Sequence, residues 1–221
     1  MKNGILKPKE YLNKNFQLLK MVFMDTALKN KTPDIRYLYD MKKILYDKEW
    51  AKTAKNLGVY YMYRGLKEKS GLRYDITVMP AKMLGKELPK TKGHEHMGNY
   101  GEVYIVLKGK AIYLMQKRKN EIVEDVYAVM AKKGDVVVIP AGYGHLTINP
   151  SKKFLKMANW MAKEAKSNYK PFEKMRGACY YYTKSGWIKN KNYKKVPKLK
   201  FKKPLKSLPK NLDFLYGKKY N

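Results

Sequence analysis

TKGHEHMGNYGEVYIVLKGKAIYLMQ, residues 91–116, sets two histidines one residue apart, a glutamate shortly after, and then an apolar run broken by a single glycine. In an extended strand successive side chains alternate faces, so His94 and His96 point the same way and Glu95 points the other. Such a pair alone says little, because two imidazoles share a face on many ordinary surfaces. The chain has three histidines in all, and the third gives the pair its weight. His145 stands in GDVVVIPAGYGHLTIN, residues 134–149, behind Pro140 and Gly142, which shape a turn leading into a strand. All the histidines therefore fall in two short stretches that share one kind of context.

The composition bounds what surrounds them. At 221 residues the chain fits one globular domain with extensions and can bury a sizeable core. Hydrophobic residues make up 44% and aromatics 13%, so most of the chain is expected to fold. The 20 tyrosines imply rings buried on one side and wet on the other. Cys179 is the only cysteine, which excludes an intramolecular disulfide. No apolar run approaches the roughly 20 residues of a bilayer span, and the N-terminus has no unbroken apolar signal segment. The reading is a cytoplasmic protein with no membrane partner.

Charge is the unusual feature: 49 Lys+Arg against 18 Asp+Glu, a formal net of +31. Residues 189–221 hold 12 lysines and one acid, Asp213, interleaved with Pro197, Pro204, Pro209 and five aromatic rings. Proline spacing denies this stretch a long helix. Read alone, it is an extended arm, either reaching a phosphate backbone such as RNA or the ribosome or a partner's anionic surface, or else solvated and lying on its own domain or its dimer mate.

Between the ends, apolar positions at helical spacing in residues 34–58 predict one or two short helices. From Val59 onward nine compact or alternating runs, from VYYMYRG to ACYYYTK, are separated by Gly, Pro, Asn and Lys-rich turns. That pattern predicts a double-sheet or barrel-like all-β domain. The expected organisation is a basic extension (1–33), a β domain with a helical lead (34–188) and the lysine-rich arm (189–221).

Residues 134–149 spell Gly-x5-Pro-x-Gly-x2-His-x3-Asn, which resembles the second cupin motif in full. His94-x-His96, then Glu102, then six residues to Gly109 resembles the first in part. The resemblance implies a mainly β cupin double-stranded β-helix, or jelly-roll barrel. Its implied ligand set is His94, His96, Glu102 and His145, mixed nitrogen and oxygen donors that suit a first-row divalent ion with open positions. Within the cupins, TKGHxH followed by EVYxxLKGK is similar to the archaeal cupin-type phosphoglucose isomerases over roughly residues 34–183. Further shared phrases are Tyr37-Leu38-Tyr39-Asp40-Met41, Val59-Tyr60, Thr77-Val78 and Gly85-Lys86-Glu87.

That family resemblance implies an isomerase interconverting glucose 6-phosphate and fructose 6-phosphate through a cis-enediol, working as a homodimer. It implies one divalent ion per chain, ferrous iron first, with manganese, nickel or zinc as alternatives. Glu102 is the implied proton shuttle, with a metal-assisted hydride shift as the rival. Thr77, Thr91 and Gly93 match the family's phosphate cradle, and Tyr60, Tyr104 and Tyr169 match pocket tyrosines. Four departures are visible. Five residues rather than six separate His96 from Glu102. Ser167 stands where a ring-opening histidine is expected, and Met161 where a phosphate-contacting tyrosine is expected. Gly142 takes another pocket tyrosine's place, with Tyr143 beside it. A working isomerase, an isomerase of another sugar phosphate, and a non-catalytic cupin whose arm binds RNA all remain open on these residues. Under the isomerase reading, removing residues 190–221 is expected to spare the site, since every implied ligand lies upstream.

Overall fold

All nine strand-like runs form β-strands in the computed structural model, which describes Leu28 and residues 31–217. The chain divides into two compact units, Met1–Thr32 and Pro33–Asn221, and the strands all lie in the second. The expected N-terminal extension falls outside the described residues except for Leu28 and residues 31–33. The lead at 34–58 is only partly helical. Asp34–Tyr37 is strand β1, Leu38–Ile44 is a 3-10 helix, and Lys48–Thr53 is helix α1. Asp47 caps α1 by accepting a hydrogen bond from the Trp50 N–H at 3.2 Å. Leu38, Met41 and Ile44 turn one face of the 3-10 helix into the core.

Two sheets follow. The larger runs in the order β1, β2 (Gly58–Lys69), β3 (Leu72–Met79), β10 (Leu155–Ala162), β5 (Glu102–Lys108), β8 (Val136–Ile139). The smaller runs β14 (Lys200–Lys202), β7 (Ile122–Lys132), β6 (Lys110–Lys119), β9 (Gly144–Ile148). Two short pairs complete the set: β4 (Glu95–Met97) with β11 (Lys166–Asn168), and β12 (Tyr180–Thr183) with β13 (Gly186–Lys189). Helix α2, Lys170–Lys174, leads from β11 toward β12. Tyr104, Val106 and Met157 from the larger sheet share one apolar core with Ile112, Leu114 and Ala128 from the smaller. Each such aliphatic side chain removed from water contributes about 1.5–3 kcal/mol. The jelly-roll barrel expected from the motifs is realised as a β-sandwich, because the strands do not close into one hydrogen-bonded ring.

The lysine-rich segment is built into this sandwich. β14 extends the smaller sheet by pairing parallel to β7, with Phe201 opposite Ala128. Leu205 and Val136 exchange both backbone hydrogen bonds at 2.9 Å. Tyr193 is buried and accepts from the Gln116 amide at 2.9 Å. A second 3-10 helix, Asp213–Tyr216, buries Phe214 and Leu215 against Leu72, Val103 and Val136. The segment's lysines meet the domain's scarce acids: Lys200 with Asp125, Lys206 with Asp135 at 2.6 Å, and Lys194 with Glu121 at 3.4 Å. Of the two dispositions left open in the sequence, the arm takes the one against its own domain, because its apolar residues outweigh its charge in placing it.

Candidate metal centre

The segment entering β4 is tied to β9 by a two-way backbone bridge: the His94 N–H donates to the His145 carbonyl at 3.1 Å, and the His145 N–H to the His94 carbonyl at 2.9 Å. That bridge sets two imidazoles side by side, their rings 4.5 Å apart. His96 follows one pleat later, and Glu102 opens β5. One donor atom from each of the four residues lies within 4.8 Å of every other. Glu95, turned to the opposite face, makes a two-pronged ion pair with Arg118 at 2.5 and 3.0 Å, which anchors the outer side of the strand. The short 97–101 loop delivers the carboxylate because it is pinned at its end: the Gly101 N–H donates to the Phe214 carbonyl at 2.8 Å. The C-terminal segment thus reaches the loop before Glu102 through two hydrogen bonds, the other from the Asn99 amide to the Gly217 carbonyl at 3.4 Å.

The donors fit a cation better than they fit one another. Glu102 Oε2 lies 3.3 Å from His96 Nε2 and 3.1 Å from His145 Nε2, yet none of these buried atoms makes a hydrogen bond of proper geometry. Unpaired buried groups of this kind cost about 1–3 kcal/mol each, a cost that shared coordination of one ion would remove. Burial, reinforced by His145, drives the His94 imidazole well below its usual pKa, so it presents a lone pair. Burial alone would raise Glu102; the adjoining His145 and His96 reverse this and hold it well below the carboxylate range. His96 Nδ1 sits 3.1 Å from the Tyr100 carbonyl, which orients Nε2 toward Glu102. Three imidazoles and one carboxylate, buried and converging, suit a first-row divalent ion.

A cavity opens beside this cluster. His94, Glu102 and His145 line it, together with Tyr60, Thr77, Thr91, Gly93, Tyr104 and Tyr169, so every residue expected to bind metal or substrate lines this one cavity except His96. The Thr91 hydroxyl accepts from the Thr147 N–H at 2.9 Å, which leaves its own proton free to point inward. Tyr60 is buried and accepts from the Lys92 N–H at 3.3 Å. The Tyr169 ring is flanked by Arg36 and Lys92, each 5.2 Å from its centroid. Burial pushes the Tyr104 hydroxyl well above its usual pKa, with the Glu102 charge adding to the effect, so it stays protonated beside that carboxylate. Ser167 and Met161 line the cavity, whereas Gly142 does not. Tyr143, beside it, donates to Asp125 at 2.9 Å instead.

Sequence reasoning missed Arg64, Asp75 and Asn159, which also line the cavity. A signal for two of them was present. Asp75 lies two positions before Thr77 on the same strand face, and Asn159 interrupts the otherwise apolar run MANWMA, residues 157–162. Arg64 carried no such signal, since it sits where β2 becomes irregular.

A β-sandwich holding a three-histidine, one-carboxylate cluster, with Glu102 and His145 buried and His94 and His96 half-buried, beside a hydroxyl-lined cavity defines a cupin with a metal-binding group. The family model for glucose-6-phosphate isomerase matches residues 20–198, and the chain belongs to that family. No curated protein matches it. Among solved structures it is similar to an oxalate oxidase (16% identity, TM-score 0.38), with 46% of this chain and 50% of that chain covered. It is also similar to a cupin superfamily protein of Desulfitobacterium hafniense DCB-2 (14%, TM-score 0.34; 47% and 76% covered). A third is the Schizosaccharomyces pombe Cnp3 cupin domain (12%, TM-score 0.36; 57% and 78% covered). The chain spans about half the length of the oxalate oxidase.

Proposed function

We propose that the protein is a metal-dependent aldose-ketose isomerase that interconverts glucose 6-phosphate and fructose 6-phosphate through a cis-enediol. The observation that carries this reading is the meeting of the four-donor cluster with Thr77, Thr91 and Gly93 around one cavity in a member of this family. A divalent ion held by His94, His96, Glu102 and His145, ferrous iron by expectation, would supply positive charge against the developing enediolate.

The chain's own residues take the remaining roles. The Thr77 and Thr91 hydroxyls donate to phosphate oxygens, and Gly93 has no side chain to bar their approach. Arg36, packed on Tyr169, adds positive charge behind that end, whereas Lys92 on the same ring is paired with Glu173 at 2.6 Å. Glu102 takes the proton from C2 of the open-chain aldose; the C–H electron pair becomes the C1–C2 double bond, and the C1 oxygen receives the displaced charge. The C2 hydroxyl proton passes to the C1 oxygen, and returning the carbon-bound proton to C1, with C2=O forming from the C1–C2 double bond and the C2 oxygen, yields the ketose. Tyr104, protonated and buried, keeps the carboxylate oriented. The alternative of an RNA or ribosome binder draws no support from an arm whose apolar residues are buried in its own domain.

The test is turnover of fructose 6-phosphate by protein loaded with iron, manganese, nickel or zinc. Glu102→Gln keeps size and one oxygen donor but cannot accept the proton, so turnover should fall roughly 10²–10⁴-fold while metal is partly retained. Near-normal turnover in that variant would assign the transfer to a hydride shift from C2 to C1, and no turnover with any of the four metals would overturn the isomerase reading.

A further inference from the structure

Among the polar side chains on the cavity wall with no part in the scheme above are Arg64 on β2, Asp75 on β3 and Asn159 on β10. Burying polar groups in the middle of a sheet is unfavourable unless they are paired. Asp75 is amply paired. It accepts from the Gly65 N–H at 2.7 Å and from Arg73 Nε at 3.0 Å, and Arg64 Nη1 stands 3.6 Å away. Asn159 is 5% exposed, and its side-chain amide makes no hydrogen bond among the described residues. Its amide, a donor and an acceptor, reaches the cavity and is open to a ligand there.

Sheet register places this amide between the two ends of the site. Asn159 is in register with Asp75 on one side and with Tyr104 on the other. Residues two apart on a strand share a face at a spacing of about 7 Å. Asp75 is one such step from Thr77, and Tyr104 is one such step from Glu102. The row Asp75, Asn159, Tyr104 therefore crosses the sheet between the Thr77 row and the Glu102 row.

We infer that Asn159, on a cavity wall it shares with Arg64, hydrogen-bonds a mid-chain hydroxyl of a phosphorylated, polyhydroxylated substrate and so selects which sugar phosphate the cavity accepts. The naming of the two ends rests on the isomerase reading; the polar contact offered to a ligand between them is the Asn159 amide itself. The ligand class is an open-chain sugar phosphate carrying a hydroxyl at C3 or C4.

Calorimetric titration of the metal-loaded full chain tests this, using fructose 6-phosphate, its 3-deoxy and 4-deoxy analogues, and inorganic phosphate. Asn159→Ala should weaken fructose 6-phosphate binding roughly 3- to 10-fold, the effect of one neutral hydrogen bond, and leave inorganic phosphate within about 2-fold. One deoxy analogue should bind the wild type more weakly by a similar factor and no longer be discriminated by the variant. Asn159→Ser, which keeps a polar group, replaces the alanine variant should thermal melts show the latter unfolded. Equal fructose 6-phosphate affinity in wild type and a folded variant would overturn the inference even if turnover is normal. Asn159-dependent binding without turnover would defeat the isomerase reading and keep the inference. Failure of the wild type to bind fructose 6-phosphate would overturn both.

Discussion

Gly93→Ala probes the joint between the cluster and the core. Gly93 has φ +79°, a left-handed conformation that an L side chain adopts at a cost of about 1–2 kcal/mol. A Cβ there would lie 2.6 and 2.7 Å from two ring carbons of Phe172 and 3.3 Å from Leu146. Phe172 is fully buried, and its far edge would stand 2.9 Å from a Cβ at Gly144, so the ring is wedged between the glycines that precede His94 and His145 and cannot step aside. Overpacking of this kind costs about 1–3 kcal/mol, for a total of roughly 2–5 kcal/mol. For a domain of this size that is a fall in Tm on the order of 5–20 °C. Because the strain is released through His94, metal affinity should also fall roughly 10- to 100-fold. Circular-dichroism melts of chelator-stripped protein and elemental analysis of purified protein read the two effects. In a Phe172→Leu background the steric part should vanish and the backbone part, about 1–2 kcal/mol, should remain. A Gly93→Ala protein with Tm within about 1 °C of wild type and full metal content would refute both the wedge and the left-handed backbone.

His145→Ala should strip most of the expected metal, about one ion per chain, because it removes one of four donors and leaves a cavity; full retention by elemental analysis would sink the ligand assignment. Leu215→Ala should cost about 2–5 kcal/mol in a denaturant melt, and removal of residues 190–221 should abolish the folded state, reversing the sequence-based expectation that this truncation spares the site. Burial lifts the Cys179 thiol from about 9 to about 12, so native protein should be silent to a thiol reagent at pH 8 and yield one equivalent when denatured. The same shift sets a sign: below about pH 9 the thiol is neutral in both states, and between about 9 and 12 only the unfolded state ionises, so stability should fall as pH rises through that window. A native protein that reacts fully at pH 8 would contradict the burial.

Local pattern carried much of this protein. Alternation and turn residues marked the nine strands, since a strand half-buried in a sandwich must repeat with period two. The spacing of the histidines placed His94 and His96 on one strand face and set Glu95 apart, where Arg118 now holds it. What pattern could not carry was contact between residues distant in the chain. That the Gly101 N–H would be tied to Phe214, making a lysine-rich tail a support for Glu102, depends on an apolar groove formed only once Leu72, Val103 and Val136 are assembled. Likewise Asn159 looked like an interruption in an apolar strand until register set it between Asp75 and Tyr104. Charge dominated the composition of the tail, but a few buried aromatic and aliphatic side chains decided where it lies, because lysines on the surface keep their water and cost little wherever the segment packs.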